Sequence, residues 1–426
     1  MSTGERVLLI ASKLGYATDD FVRAAERLGM ELVLATDRCH VLAALWPAGA
    51  LAIDFRNPRA AADTIAEHAR ERRFQGVIAT DEQTAIIAAH ARERLGLVPV
   101  ATGRRPAASA RAAGDKWLFR QQVSAAGVRQ PDFVSVPVHA SPSDIRAAMQ
   151  EARLGYPVVL KPLHLSASRG IMRADDDRQL EMRLTRLQKL LADPEVRVKN
   201  PESAGRILIE SFIAGREVAY EGLLQAGALR TLALFDKPEP LDGPFFAETM
   251  YVTPSAESDP MQRAIAEVVG AAAAAIGLRE GPVHAELRLS ASGPVVIELA
   301  ARAIGGLCHR TLRFAGGTTL EELLLWHAAG REMTVGERQP TASGVYMLPV
   351  PRAGVLRAIH GVDAARSVAL VTDVVMTARV GDTVQPLPEG HTYMGFVFAE
   401  AAERAAVIGA LERAAGRIAF DIAARL

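Results

Sequence analysis

Val283-His284-Ala285-Glu286-Leu287-Arg288-Leu289, then Ser290-Ala291-Ser292-Gly293, then Val295-Val296-Ile297-Glu298-Leu299, reads as two antiparallel strands joined by a tight turn. On neighbouring strands the side chains of Glu286 and Glu298 can project from one face, a few ångströms apart. Two unpaired carboxylates so placed repel each other, and a divalent cation removes that cost. The alternative is a pair of solvated acids on an open sheet face. Hard oxygen donors without His or Cys at ligand spacing favour Mg²⁺ over zinc. Directly downstream, Ala301-Arg302-Ala303-Ile304-Gly305-Gly306 offers a cation and a glycine turn beside the presumed metal. His284 and His309 lack metal-ligand spacing and read as packing or supporting groups. Cys308 reads as a small buried hydrophobe.

Upstream, Ile207-Leu208-Ile209-Glu210 is a strand that ends in an acid. It crosses Ser211-Phe212-Ile213, turns at Gly215 and returns through Glu217. Glu210 could accept from an adenine amino group, the backbone of Phe212-Ile213 could read the ring edge, and Glu217 could accept from ribose hydroxyls. A hairpin with two exposed glutamates is the competing reading. Further back, Pro157-Val158-Val159-Leu160-Lys161-Pro162 is an apolar strand ending in a charge, which needs water or an anion. The loop after it holds Ser166, Ser168, Arg169 and Gly170, small residues whose N–H groups can cradle phosphate oxygens. Lys116 opens a helix after Asp115, where the helix dipole does not help an amine, so another partner is expected. Either lysine taken alone also reads as a solvated surface group.

Working outward, Val7–Ala11, Glu31–Ala35 and Gly76–Thr80 are short apolar strands alternating with helical patterns over Asp19–Leu28, Ala60–Arg73 and Thr84–Leu95. That alternation predicts a doubly wound parallel sheet. Its first loop, Ser12-Lys13-Leu14-Gly15-Tyr16, lacks G-x-G-x-x-G, so this domain reads as scaffold rather than a dinucleotide site. Asp193–Gly205 is a polar run expected to be mobile. Ser343–Pro349, Asp373–Arg379 and Met394–Ala399 are strands of a separate tail with a final helix Ala401–Ala415. The expected division is 1–105, 106–334 and 335–426, consistent with 426 residues at about 150 per domain.

The balance of 49 Lys+Arg against 49 Asp+Glu argues against a nucleic-acid binder. With only Cys39 and Cys308, a disulfide framework is excluded. The apolar start is too short for a secretory signal or a membrane span, so a cytoplasmic protein without membrane or nucleic-acid partners is expected.

The order Lys116, Lys161 with its Ser/Gly loop, Glu210–Glu217, Glu286, Glu298, Arg302 resembles the ATP-grasp superfamily, over about residues 1–330. Within it the chain looks most like the L-amino acid ligases, bacilysin-type dipeptide synthetases with carnosine synthase as a relative. His284–Arg288 and Ile297–Gly305 are similar to that family's metal and acyl-phosphate motifs. Gly243-Pro244-Phe245-Phe246-Ala247-Glu248-Thr249-Met250-Tyr251 resembles its substrate-side strand, and Gly344–Pro349 with Tyr393–Phe396 its C-terminal domain.

The resemblance implies an α/β chain in three parts: an N-terminal doubly wound sheet, a central ATP-grasp unit of two α+β subdomains, and a small C-terminal α+β domain. It implies ATP bound by Lys116, Lys161, Ser166, Ser168, Gly170, Glu210, Phe212, Ile213 and Glu217, under a mobile loop 166–170. Mg²⁺, with Mn²⁺ as substitute, would sit on Glu286 and Glu298. Arg302 and the N–H of Gly305 would face an oxyanion and Arg288 the transferring phosphate, while Glu248 would hold the first amino acid's ammonium or help deprotonate the incoming amine. The implied partners are two amino acids, with a homodimer as the assembly common in the superfamily.

Two departures bear on specificity. Tyr251 stands where some relatives have histidine, and Gly306 leaves room beside Arg302. Ala300 replaces the Asn of many ATP-grasp enzymes, which leaves a metal fewer side-chain ligands. Rival readings are an ATP-grasp ligase with another nucleophile, like glycinamide ribonucleotide synthetase or biotin carboxylase, and a non-catalytic ATP-binding regulator.

Overall fold

The computed structural model describes residues 4–12, 16–37, 49–97, 106–199, 205–331 and 338–424. Lys13–Gly15 of the first loop, Cys39, and residues 105, 334 and 335 at the expected domain boundaries lie outside the described residues. Four parallel strands form the N-terminal sheet in the order Ala50–Ala52, Glu31–Thr36, Arg6–Ile10, Gly76–Ala79. The interiors of its central strands, Val7–Ile10 and Leu32–Ala35, are apolar because both faces are covered. Leu8 and Ile10 pack with Ile65 and Ile87 on one side, and Val7 and Leu9 pack with Phe21 and Leu323 on the other. Asp81 caps the helix Glu82–Leu95 through a reciprocal bond with Thr84, which fixes Glu82 at the helix mouth.

A second sheet is antiparallel: Phe133–Pro137, Arg206–Ser211, Val158–Pro162, Met172–Ala174. Helices Pro142–Glu151 and Asp177–Ala192 cover it through Ile145, Met149, Leu180, Leu184 and Leu187. Of the polar run Asp193–Gly205, residues 200–204 lie outside the described residues. Pro194–Lys199 is a short helix, started by Asp193 accepting from the N–H of Glu195 and anchored by buried Val196.

The largest sheet has eight antiparallel strands: Gly293–Ala300, Gly281–Ser290, Arg216–Gln225, Ala228–Asp236, Met250–Thr253, Ala342–Leu348, Gly395–Ala401, Val371–Met376. Met250–Thr253 pairs with Ala342–Leu348, so the strands of the tail continue the central sheet without a break. The helix Asp259–Ala275 covers one face through Ile265, Val269 and Ala272. A three-stranded sheet, Thr383–Val384, Gly354–His360, Ala419–Ala423, completes the tail.

One core joins the three parts. Phe21 from the first helix, Phe235 and Tyr251 from the central sheet, Leu323 and Leu324 from the helix Leu320–Ala328, and Val345 and Phe396 from the tail pack together. Gly76 marks the closest approach: a Cβ there would lie 2.3 Å from the carbonyl oxygen of Ala328. The N-terminal sheet therefore seats directly on the helix Leu320–Ala328. Among the described residues no helix is long and apolar enough to cross a membrane.

Candidate active site

A cleft of about 1810 Å³ opens where the three parts meet, and residues from all of them line it. Glu82 comes from the N-terminal domain, Lys161 and the loop 166–169 from the second sheet, Glu248, Glu286, Glu298 and Arg302 from the large sheet and its following loop, and Tyr393 from the tail.

Glu286 and Glu298 are register partners on adjacent strands, with a β-bulge just beyond Glu286. Glu286 lies in a cluster whose carboxylate oxygens, from Glu217, Glu248 and Glu286, are all within 4.8 Å of one another. Glu298 faces Lys116, whose Nζ is 3.4 Å from Glu298 Oε1 and 2.9 Å from the carbonyl of Leu165.

The cluster is held by Lys237, which the sequence reading did not single out. Its ammonium is buried, 2.7 Å from Glu217 and 3.5 Å from Glu286, and it pairs with Glu248 as well. Burial opposes that charge, but the carboxylates outweigh it and raise the lysine well above its ordinary range. Burial and the neighbouring Glu286 push Glu248 up to about 7, against the pull of Lys237. Glu286 moves the other way despite burial, because Lys237 and His284 both favour its charged form. Leu232-Ala233-Leu234-Phe235-Asp236-Lys237 repeats the pattern of Lys161, an apolar strand closing on a lysine, and that signal was available.

Several nucleotide-side expectations change once the partners are known. Glu210 does not stand open to a base amino group. Its carboxylate receives Arg120 Nε at 2.6 Å and lies 2.7 Å from Lys161 Nζ, with all three side chains buried. The backbone N–H of Phe212 donates to Pro157, and the carbonyl of Ile213 accepts one bond from Arg288. The Phe212 ring instead stacks on Phe246, with the Arg173 guanidinium 4.1 Å from its centre. Both oxygens of Glu217, expected at a ribose, are engaged by Lys237 and Arg288.

Arg288, expected on a phosphate, is committed to Glu217, Asp242 and the carbonyls of Ile213, Gly215 and Leu241. It clamps the turn after residue 212 to the sheet.

In the loop 166–170, Ala167 and Ser168 take left-handed φ of 54°, a conformation that L-residues adopt at a cost. The N–H of Gly170 donates to Pro388 and that of Arg169 to Ser166, which removes both from an anion cradle. Arg169 also donates to the carbonyl of Glu389, and Arg186 pairs with the Glu389 carboxylate, so this loop is tied to the tail. Ser166 and Ser168 line the cleft.

Arg302 reaches across the cleft to Glu82, donating from Nε at 2.8 Å and also from Nη2, while Nη1 donates to the carbonyl of Ala303. Gly305 follows on the same exposed loop. His284 pairs through Nδ1 with Glu221, a fully buried acid in the adjacent strand. Burial alone would lower this imidazole, but Glu221 outweighs it and raises the histidine to about 9. His309 is held between Asp20 at 2.9 Å and Glu321 at 3.3 Å. Burial raises the Cys308 thiol far from reactive range.

The Arg120–Glu210–Lys161 triad makes a stability prediction. Burial disfavours the Glu210 charge, yet Arg120 and Lys161 lower the carboxyl from 4.5 to about 2. A folded value below the unfolded one means that the stabilisation is present above pH 4.5 and is lost as pH falls toward 2. The shift corresponds to about 3 kcal/mol. Glu210→Gln, which leaves two cations without their anion, is expected to lose about 3–5 kcal/mol at neutral pH. Urea unfolding of both proteins should show that gap narrowing as pH falls below 4.5. A gap that ignores pH would mean that Glu210 acts through packing alone.

The fold and the cleft resemble those of ATP-grasp proteins. Residues 22–99 match the ATP-grasp N-terminal domain and residues 154–311 the ATP-grasp domain. Within that class the chain resembles the L-amino acid ligases, because residues 346–423 match L-amino acid ligase C-terminal domain 2.

The crystal structure of L-amino acid ligase from Bacillus licheniformis superposes with a TM-score of 0.81 at 24% identity, covering 98% of this chain and 99% of that one. Alanine–anticapsin ligase of Bacillus subtilis is 29% identical over 250 residues, 56% of this chain and 50% of the relative. An uncharacterized protein of Sinorhizobium fredii is 27% identical over 308 residues, 72% of this chain and 61% of the relative. The chain thus spans about half to three-fifths of the length of these curated relatives.

Proposed function

We propose that this chain is an ATP-dependent carboxylate–amine ligase that joins two amino acids into a dipeptide or related amide, releasing ADP and phosphate. The observation that carries this reading is a single cleft lined by Glu286, Glu298, Lys161 and Arg302 of the central unit, Glu82 of the N-terminal domain and Tyr393 of the tail, with Lys116 3.4 Å from Glu298. The Bacillus subtilis relative, a ligase of alanine with anticapsin, supports the amide chemistry. In this reading residues 1–105, 106–334 and 335–426 are the three units that each supply one wall.

Glu286 and Glu298, register partners on adjacent strands, offer the hard oxygen donors that a divalent cation takes. Glu286 and Glu298 would hold Mg²⁺ or Mn²⁺, which supplies neutralisation of phosphate charge when bound. The chain's own residues do the rest. Lys116 and Lys161 attract the polyphosphate of ATP, a substrate of the reaction. Glu248 holds the ammonium of one amino acid. The carboxylate of that amino acid attacks the γ-phosphorus, and the bond to the ADP oxygen breaks, leaving an acyl phosphate.

The amine of the second amino acid then attacks the acyl carbon. Arg302 and the N–H of Gly305 face the oxyanion that forms, and phosphate leaves as the amide closes. Closing the loop 166–170 over the cleft would keep water from the acyl phosphate.

The test is ADP release with ATP, Mg²⁺ and pairs of standard amino acids, with mass spectrometry of the products. Amino-acid-dependent ADP with a product of summed mass less one water is expected. ADP release indifferent to every amino acid, or none at all, would overturn the reading.

A further inference from the structure

Glu221 is fully buried in the middle of the strand Arg216–Gln225, a place where an acid is costly unless every lone pair has a purpose. Its register partner on the next strand is His284, and the two side chains pair through Nδ1. The other carboxylate oxygen accepts the backbone N–H of Ile304 at 3.2 Å. His284 and Glu286 are two residues apart on one strand and so share a face. The second nitrogen of His284 lies 3.6 Å from Glu286 Oε1. Ile304 sits between Arg302 and Gly305, the two groups placed at the oxyanion. A continuous polar chain therefore runs from that loop, through Glu221 and His284, to the carboxylate cluster.

We propose that Glu221 and His284 are positioning residues that lock the loop Arg302–Gly306 to Glu286, holding the oxyanion-facing groups and the phosphate-facing carboxylate in one geometry. The proposal rests on the ligase reading above. Neither residue touches a reacting atom. The physical ground is that the loop is exposed at Gly305 and Gly306, while Ile304 N–H is the anchor that points inward. Such supporting bonds commonly change activity by about 10–100-fold when removed.

A loosened loop has a distinctive consequence. The first step, phosphoryl transfer to the carboxylate, leans on the lysines and the acidic cluster. The second step, attack by the amine, leans on Arg302 and Gly305. If the loop wanders, water attacks the acyl carbon, the acyl–oxygen bond breaks, phosphate leaves and the amino acid returns as its carboxylate. The net reaction is then ATP and water to ADP and phosphate, with no amide.

Two readouts on Glu221→Gln test this. Hydrogen exchange by mass spectrometry is expected to speed up about 10-fold or more in a peptide spanning residues 301–307, with the strand peptides unchanged. In steady state, amide formation is expected to fall about 10–100-fold, with the KM for ATP within about threefold. The ratio of ADP released to amide formed should rise from near one to several. Unchanged exchange in 301–307, or an unchanged ratio with both rates scaled down together, would overturn the proposal.

His284→Gln serves as the second variant, should Glu221→Gln fail to fold. It removes the side chain that holds the Glu221 carboxylate in line with Ile304, so exchange at 301–307 and the ratio should both rise. An unchanged ratio in that variant overturns the proposal equally. Exchange needs no turnover, so a wild type that makes no amide would count against the ligase reading and leave the loop result standing on its own.

Discussion

Arg302→Ala is expected to lower kcat about 10²–10³-fold while leaving the KM for ATP within a few-fold, the effect of deleting one oxyanion donor. The guanidinium lines the cleft on the loop after the paired strands, bonded to Glu82 and to the carbonyl of Ala303. Despite burial, which opposes its charge, the nearby Glu82 carboxylate holds it firmly protonated. It is therefore a permanent cation whose position is set by a group from another domain. Glu82 is in turn held at the first turn of its helix by the Asp81–Thr84 cap, where the helix dipole favours a carboxylate.

Two roles are compatible with this geometry, and the variant separates them. A residue that only clips the N-terminal helix to the loop would, on removal, lower the melting temperature and leave turnover per folded molecule intact. A residue that meets the oxyanion would lose turnover at unchanged ATP affinity. Arg302→Lys refines the result: it keeps the charge but loses the planar fork, so part of the rate is expected to return. Stopped-flow and steady-state rates for the three proteins, alongside thermal melts, decide the matter. Full turnover in Arg302→Ala would remove this side chain from the chemistry.

The parts of the site that the sequence exposed are those written in local order. The hairpin with Glu286 and Glu298 shows itself because alternation, a Ser/Gly turn and the following Arg–Gly loop all fall within one short stretch. The parallel sheet shows itself for the same reason, as short apolar strands bounded by helical patterns.

What stayed hidden depends on partners far away in the chain. Glu210 looked free because Arg120, 90 residues earlier, is an unremarkable arginine on a helix until the fold buries it. Arg288 looked like a phosphate ligand because its partners lie far off in the chain, at Ile213–Gly215, at Glu217 in the adjacent strand and at Leu241–Asp242. Glu82 gave no sign of belonging to the cleft, since nothing local ties a helix-start acid to an arginine 220 residues on. Glu221 carried a usable signal, a lone acid inside the apolar run Val218-Ala219-Tyr220-Glu221-Gly222-Leu223-Leu224. A charge in such a run must be paired when buried. The strand Ala419–Ala423 escaped although Phe420 and Ile422 flank Asp421 at a spacing of two, because five residues are too few to separate that pattern from the end of the preceding helix.

Lys237→Met is expected to be the most damaging single change for the resting protein. The ammonium is buried at the centre of Glu217, Glu248 and Glu286, and it stacks 5.0 Å from the Tyr251 ring centre. Removing one partner of a buried charge group leaves the others uncompensated, which typically loses about 3–5 kcal/mol. Here the remainder is three carboxylates within 4.8 Å of one another, so mutual repulsion adds to the desolvation of each.

The same arithmetic predicts a rescue. A divalent cation can occupy the space between those oxygens and take over the neutralising role, and the cluster has the hard donors that Mg²⁺ or Mn²⁺ prefers. Thermal melts of wild type and Lys237→Met, with and without millimolar MgCl₂ or MnCl₂, read both effects. The variant should melt well below wild type in chelator and recover much of the difference on adding metal, whereas wild type should move little, because its own ammonium already fills the role. Lys237→Arg keeps a cation on a longer, planar head and should melt between the two. If Lys237→Met melts like wild type, the three acids do not depend on this lysine. If metal leaves the variant unchanged, the cluster is a structural knot of charge rather than a place where a cation can sit.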